Sequence, residues 1–343
     1  MGRHAYNQRV NASLAQVAER LRAASEVLLV AHVHPDADAL GSTLATAMAL
    51  EALGTDVQVS FPDDPFEIPH SLRFLPRGDL IVDPAEVRPA ELVISMDASS
   101  GDRVGRLLPV AQSAPTFIAV DHHASFEPFA PIVHVDPSRP ATGLLALDII
   151  EELGVGLSED MAMCLYAAIS SDTGSFRFAS TTPETLRAAA RLMETGIDFA
   201  AAAKALFDTS SREFRAFQAE VISGLEVVDA GGVPVAVAHV SKADRERHAI
   251  AFTQVESLID VVRTVEGAQV AVVLKQDDHG TWRVSSRSLG AVDVGRVCSG
   301  LGGGGHVMAA GFTGTTDAQA TLDGFLAAVA VAGRLSNRAE PPR

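Results

Sequence analysis

Four short segments of this chain gather side chains that bind divalent cations. They are His32-Val-His34-Pro-Asp36-Ala-Asp38, Ser95-Met-Asp97-Ala-Ser99, Asp121-His122-His123 and Ser170-Ser-Asp172-Thr-Gly174. Imidazoles mixed with carboxylates suit borderline to hard divalent ions. Cys164 and Cys298 are the only cysteines, which excludes a thiolate zinc cluster. The donors suffice for two ions about 3.5–4 Å apart sharing one carboxylate, an arrangement that activates water and neutralises phosphate oxygens. Taken singly, each segment has an ordinary structural use, since Asp beside Pro closes turns and Asp at an element end caps helices. Their joint occurrence at element ends is what points to metal-assisted phosphoryl chemistry.

Such donors converge only if the chain delivers them to one edge of a sheet. Val27–Ala31 reads as a buried strand, and Leu40, Leu44, Met48 and Ala52 mark the apolar stripe of a following helix that Gly54 ends. Further strands are expected at Asp56–Ser60, Leu92–Met96 and Phe117–Val120, each running into a polar loop. In open α/β sheets ligands collect where such loops leave the carboxyl ends of strands. From Thr142 the pattern turns helical, at Thr142–Leu153, Glu159–Ile169, Pro183–Met193 and Asp198–Phe207. Beyond it, strands at Val233–Val240, Gln269–Lys275 and Thr281–Ser288 alternate with helices at Val255–Val265 and Ala318–Val331.

The fold expected is α/β: an N-terminal doubly wound, mostly parallel sheet joined by a helical connector to a smaller α+β domain. The divisions expected are residues 1–194 for the metal-binding domain, 195–217 for the connector and 218–343 for the second domain. The second domain adds a glycine-rich loop, Gly300-Leu-Gly302-Gly303-Gly304-Gly305-His306, whose backbone N–H groups could cradle a phosphate, aided by the positive end of a helix starting near His306. Arg283, Arg287 and Ser288 lie on the strand upstream, where an arginine fork grips phosphate.

With 43 acidic against 27 basic side chains the net charge is −16, which disfavours a general basic face for tracking long nucleic acid. One Trp and two Tyr also leave little for base-stacking platforms. A hydrophobic fraction of 47% and a mean hydropathy of +0.19 belong to a chain that folds into packed cores. The opening residues are polar, and the longest late apolar run, Phe325 to Ala332, is far short of the roughly 18 residues of a membrane span. The expectation is a cytoplasmic protein without a membrane segment.

The pattern His32-x-x-Pro-Asp36-x-Asp38, Asp97, Asp121-His122-His123 and Asp172 resembles the four motifs of the DHH phosphoesterases. Gly302-Gly-Gly-Gly305-His306-x-x-Ala-Ala-Gly311 resembles the signature of their DHH-associated C-terminal domain. The compact two-domain form is most similar to the bifunctional oligoribonucleases and 3'-phosphoadenosine-5'-phosphate phosphatases, the nanoRNases. The resemblance implies two divalent ions of the manganese type. His32, Asp36 and Asp97 would hold one, and Asp38, Asp97, His122 and Asp172 the other, with Asp97 bridging. His123 would face the scissile phosphate or leaving oxygen, and Asp121 would orient a neighbouring histidine. Arg287, Ser288, the Gly302, Gly303, Gly304 and Gly305 loop and His306 would clamp the far end of the substrate.

The same resemblance implies short oligoribonucleotides and nucleotide bisphosphates as substrates, and a homodimer. Where many relatives carry a Ser-Thr-x-Glu-like segment, this chain has Ala141-Thr142-Gly143-Leu144, without the carboxylate. Arg139, just upstream, reads equally as a substrate contact or a solvent-facing loop residue. Hydrolysis of cyclic or linear dinucleotide messengers is the alternative, since both substrates present a phosphodiester and a second phosphate. A sensor that binds nucleotide without turnover is a further alternative, and it sits poorly with a full set of metal donors.

Overall fold

Runs of Val, Leu and Ile bounded by polar turns form β1 (Val10–Asn11), β2 (Glu26–Val30), β3 (Asp56–Ser60), β4 (Leu92–Met96), β5 (Thr116–Asp121) and β6 (Ile132–Val135) in the first of two units. We describe residues 10–290 and 292–339 of a computed structural model, whose chain divides between Thr209 and Ser210. The six strands are ordered β1-β6-β5-β4-β2-β3, with every pairing parallel. All five residues of β4 and four of the five in β2 are buried. This is why those strands read as continuous apolar runs rather than alternating ones, since helices cover both sheet faces. The edge strand β1 and its neighbour β6 were not expected, as two and four residues are too short to stand out from the surrounding loop. His134 of β6 donates from Nδ1 to the Ala12 carbonyl at 2.8 Å, tying the edge together.

The helices of ten or more residues in this unit are α1 (Leu14–Ala23), α2 (Ala37–Ala52), α3 (Thr142–Glu152), α4 (Glu159–Asp172) and α5 (Pro183–Met193). Every residue of α2 from Ala37 to Leu50 is buried, because α3 and α4 close over it on the side away from the sheet. Two glycines set that closeness. A Cβ at Gly41 would lie 2.5 Å from the Cys164 carbonyl oxygen, and one at Gly143 would lie 2.7 Å from the Ala168 Cβ. Cys164 is buried in this contact, and burial pushes its thiol up, so it stays protonated and inert.

The expected helix at Asp198–Phe207 is a short α-helical turn, Phe199–Ala203, continuing into a π-helical turn over Lys204–Asp208. Ile197 and Ala202 belong to the core of the first unit, whereas Phe214 and Phe217 are buried in the second. The stretch expected as a connector is therefore shared out between the two cores.

The second unit holds α6 (Arg212–Ser223), β7 (Glu226–Asp229), β8 (Pro234–Val240), β9 (Val270–Gln276), β10 (Trp282–Ser288), α7 (Val294–Ser299), β11 (Gly304–Gly305), β12 (Ala309–Thr313) and α8 (Ala318–Ala339). Its sheet runs β11-β12-β10-β9-β8-β7, antiparallel except between β8 and β9. One face packs on α7 and α8, around Trp282 and Phe325, and the other packs on α6 and a helical stretch over 252–262. The helix expected near His306 is absent. Gly304 and Gly305 pair with β12, and His306 and Ala309 exchange backbone hydrogen bonds across a tight hairpin. Gly302 at φ +82° and Gly305 at φ +138° hold the chain in conformations that break helix and favour such a turn.

Candidate metal centre

Strand β2 lies between β3 and β4, so the loop after it opens where connections diverge to opposite sides of the sheet. His32, Asp36 and Asp38 are on that loop and the first turn of α2, Asp97 directly follows β4, and His122 and His123 follow β5. Asp172 ends α4, the helix packed on α2. Parallel strands thus deliver all these loops to one edge, and the glycine-mediated helix contact brings the last carboxylate in.

Two donor sets result. His32 Nε2 lies 3.5 Å from Asp97 Oδ2 and 3.9 Å from Asp36 Oδ1. His122 Nε2 lies 3.5 Å from Asp97 Oδ1, 3.7 Å from Asp38 Oδ2 and 3.2 Å from Asp172 Oδ2. The two oxygens of Asp97 thus face different sets. Donors each about 2.1 Å from one ion at octahedral to tetrahedral angles are about 3.0–3.5 Å apart, so these separations suit ligands of a shared cation. Asp97 sits at φ +64°, a left-handed conformation that Asp tolerates better than most residues, and its N–H donates to the Val120 carbonyl at 2.9 Å. Strained backbone of this kind persists where the surroundings fix it, commonly at functional sites.

The neighbours hold each donor in place. Asp38 accepts from the Thr142 N–H and the Gly143 N–H, both at 2.7 Å, and from the Ser42 hydroxyl at 3.2 Å. The first amides of α3 therefore end on a carboxylate, as a helix N-terminus favours. The Thr142 hydroxyl donates to Asp97 Oδ1 at 2.8 Å. His122 Nδ1 donates to the Arg139 carbonyl at 3.1 Å, which leaves Nε2 as the nitrogen facing the carboxylates. His32 Nδ1 lies 2.8 Å from the Val33 carbonyl and 2.9 Å from Arg103 Nη2. Asp121 Oδ1 accepts from the His122 and His123 N–H groups and lies 2.7 Å from His123 Nδ1, so it orients His123. His34 pairs with Asp63 and belongs to neither set.

Burial and mutual repulsion from Asp97 and Asp172 push the Asp38 carboxyl well above the usual carboxylate range, and burial likewise raises Asp172. For Asp97 burial acts in the same direction, but the His32 hydrogen bond and the nearby His123 and His122 charges outweigh it and hold the carboxyl down. The surrounding carboxylates overcome burial at His122 and push it up to about 11. A buried cluster that draws protons this strongly is one that divalent cations neutralise, and the mixed imidazole and carboxylate donors fit that role.

Thr142, Arg103 and Ser42 were not picked out from the sequence. The one signal available was the place of Thr142 at the start of a helix, which reads as ordinary capping. Thr142→Val keeps the backbone donor to Asp38 and removes only the hydroxyl on Asp97. It is expected to lower kcat about 10-fold with the melting temperature nearly unchanged, by analogy with other partners of metal ligands.

In the second unit, burial along β10 alternates, placing Arg283, Ser285 and Arg287 on one face and Trp282, Val284, Ser286 and Ser288 on the buried one. Ser288 is thus not beside Arg287 as expected. Its hydroxyl accepts from the Gly290 N–H at 3.2 Å and closes a turn, while Ser285 takes the place on the arginine face. Arg287 donates from Nη1 to the Ser286 carbonyl at 3.0 Å. Gly303 is required by packing, since a Cβ there would lie 2.1 Å from the Gly311 carbonyl oxygen. His306 opens the hairpin, whose tip exposes Val307 and Met308.

The profile of the DHH family, N-terminal domain, matches residues 26–169, and that of the DHHA1 domain matches residues 232–331. The bifunctional oligoribonuclease and PAP phosphatase NrnA of Thermus thermophilus is 36% identical over 300 residues, covering 87% of both chains. This chain belongs to the DHH family. A DHH relative at lower identity, the probable bifunctional oligoribonuclease and PAP phosphatase NrnA of Streptococcus mutans, is 25% identical over 85% of this chain and 90% of its own. The crystal structure of an exopolyphosphatase-related protein from Bacteroides fragilis superposes with a TM-score of 0.84 at 22% identity, covering 94% of this chain and 97% of that one. The fold is therefore shared along nearly the whole length of both chains.

Proposed function

We propose that the chain is a divalent-cation-dependent phosphodiesterase that removes mononucleotides from RNAs of about two to five nucleotides, a size needing no extended groove. In the same proposal it dephosphorylates 3'-phosphoadenosine 5'-phosphate to AMP. The observation that carries the proposal is Asp97, whose two carboxylate oxygens face two separate sets of histidine and aspartate donors. His32, Asp36 and Asp97 would hold one ion, and Asp38, Asp97, His122 and Asp172 the other, with manganese as the assigned metal. When bound, the pair supplies charge neutralisation at the phosphate and activation of water. The more exposed His123, its Nδ1 held by Asp121, is assigned the leaving oxygen, to which Nε2 gives a proton.

Arg287, with Gly302–Gly305 and His306 of the second unit, is assigned a phosphate distant from the bond cut. Arg287→Ala is expected to raise KM about 10–100-fold, the worth of a charged hydrogen bond, while manganese content stays at the wild-type level. A homodimer is part of the proposal, supported by the exposed Leu186, Met193 and Phe199 of the first unit. The two buried free thiols suit a reducing compartment, which supports a cytoplasmic place. Among the described residues no helix is long and apolar enough to cross a membrane.

The test is product formation by the purified protein with manganese, offered RNAs of graded length, 3'-phosphoadenosine 5'-phosphate and a cyclic dinucleotide. Steep preference for the shortest RNAs together with phosphatase activity is expected. Dominant turnover of the cyclic dinucleotide would overturn the substrate assignment, and nucleotide binding without product from any of them would overturn the enzyme.

A further inference from the structure

The residues from Arg139 to Gly143 touch the His122 donor set, including the shared Asp97, through their main chain and one hydroxyl. The Arg139 carbonyl accepts from His122 Nδ1, the Thr142 and Gly143 amides donate to Asp38, and the Thr142 hydroxyl donates to Asp97. The trailing end of this strip is fixed because it is already helix. Its leading end is loop, and the side chain that anchors it there is that of Arg139.

That guanidinium is surrounded by carboxylates from three separate segments. Nη2 pairs with Asp148 of α3 at 2.7 Å, Nη1 pairs with Glu184 of α5 at 2.6 Å, and Nε lies 3.8 Å from Asp136 of the preceding turn. The turn itself is tied down, with the Asp136 N–H donating to the Asp121 carbonyl at 3.1 Å and the Arg139 N–H donating to the Asp136 carbonyl at 3.1 Å. A guanidinium engaged by three carboxylates is poorly placed to receive a phosphate. The reading of Arg139 as a substrate contact is thereby disfavoured, and so is that of an idle loop residue.

We propose that Arg139 is a positioning residue which, by clamping α3 and α5 to the 136–139 turn, holds its own carbonyl against His122 and so fixes the nitrogen that His122 offers to a cation. The proposal rests on the two-cation reading above. The acceptor on a histidine ligand's other ring nitrogen fixes its tautomer and ring orientation, and losing such a partner costs about 10–100-fold in metal affinity. The effect is specific to one donor set, because His32 takes its own acceptor from Val33.

Calorimetric titration with Mn²⁺ tests this on the full chain as wild type, Arg139→Met, Arg139→Lys and Glu184→Gln, with circular dichroism and thermal melts as checks of folding. Wild type is expected to take up two ions. Arg139→Met should keep one step and weaken the other about 10–100-fold. Lysine, which offers a point charge in place of a fork, should recover part of that loss. Glu184→Gln, at an exposed carboxylate, should weaken the same step a few-fold. At saturating Mn²⁺, Arg139→Met should regain wild-type kcat with KM for a dinucleotide unchanged.

Two undiminished steps in folded Arg139→Met would overturn the proposal, as would a raised KM that persists at saturating metal. Should Arg139→Met fail to fold, unchanged affinities in both Arg139→Lys and Glu184→Gln would overturn it equally. No manganese uptake by wild type would instead sink the two-cation reading, and this proposal with it.

Discussion

Asp97→Asn is expected to lower kcat by at least about 1000-fold, about 4 kcal/mol of transition-state stabilisation, while the protein still folds. Asparagine keeps the shape of the side chain and tolerates the left-handed backbone of position 97, so φ +64° adds no penalty, whereas alanine there would be strained. The Thr142 hydroxyl can still donate to the remaining carbonyl oxygen. What disappears is one negative oxygen between His32 and His122, and with it the shared ligand. In the metal-free protein this loss relieves repulsion on Asp38, whose carboxyl is raised partly by Asp97. The attraction of His32, His122 and His123 for the ionised Asp97 is lost as well and is the larger effect, since it holds that carboxyl down despite burial. The melting temperature without metal should therefore fall at neutral pH, while its increase on adding Mn²⁺ should largely vanish. Retention of a tenth of wild-type turnover would contradict the bridging place of Asp97.

Gly41→Ala is expected to destabilise the first unit by about 1–3 kcal/mol, the usual range for overpacking a tight core. Helix propensity alone predicts the opposite sign, a gain of about 1 kcal/mol for replacing glycine in a helix interior. The structure decides between them, because the new Cβ would lie 2.5 Å from the Cys164 carbonyl oxygen and 3.3 Å from the Ala168 Cβ. Backbone cannot move aside as a side chain can, so α2 and α4 must separate. Gly324→Ala on α8 is the matching control, since nothing lies within 4 Å of a Cβ there, and it should be neutral or stabilising. For a unit of this size the first change corresponds to a fall of about 3–10 °C in melting temperature. As Asp38 lies one turn before Gly41 on α2, manganese affinity should fall with it.

The residues that the structure gathers into the two clusters were legible in the sequence because metal chemistry restricts residue types and parallel strands restrict where they sit. His32, Asp38, Asp97 and His122 all fall within two residues of a strand end or helix start. Most helices were legible too, as their apolar stripes are long. Thr142 was not, because a threonine at a helix start has a local use that hides the contact with Asp97. That Ser285 rather than Ser288 shares a face with Arg283 and Arg287 was not legible either, since it requires knowing which face of β10 is open. The hairpin at His306 was read as a helix because glycines permit both, and only pairing with β12 selects between them. The Lys204–Asp208 turn shows the same limit, as composition says helix and says nothing of which core the helix joins.

Asp38 bears on how an inactive form of the protein should be chosen for trapping a substrate complex. The usual choice, removal of any one acidic ligand, treats these aspartates as equivalent. Asp38 also terminates two amides of α3, and its loss would leave those N–H groups buried without an acceptor, at about 1–3 kcal/mol. A dead enzyme made there would be a loosened one, with the strip that supports His122 disturbed as well. Position 97 offers the cleaner background for crystallising a bound dinucleotide, because asparagine there leaves the Thr142 hydroxyl its acceptor and the α3 amides theirs, so the backbone strip stays in place while the shared cation ligand is lost.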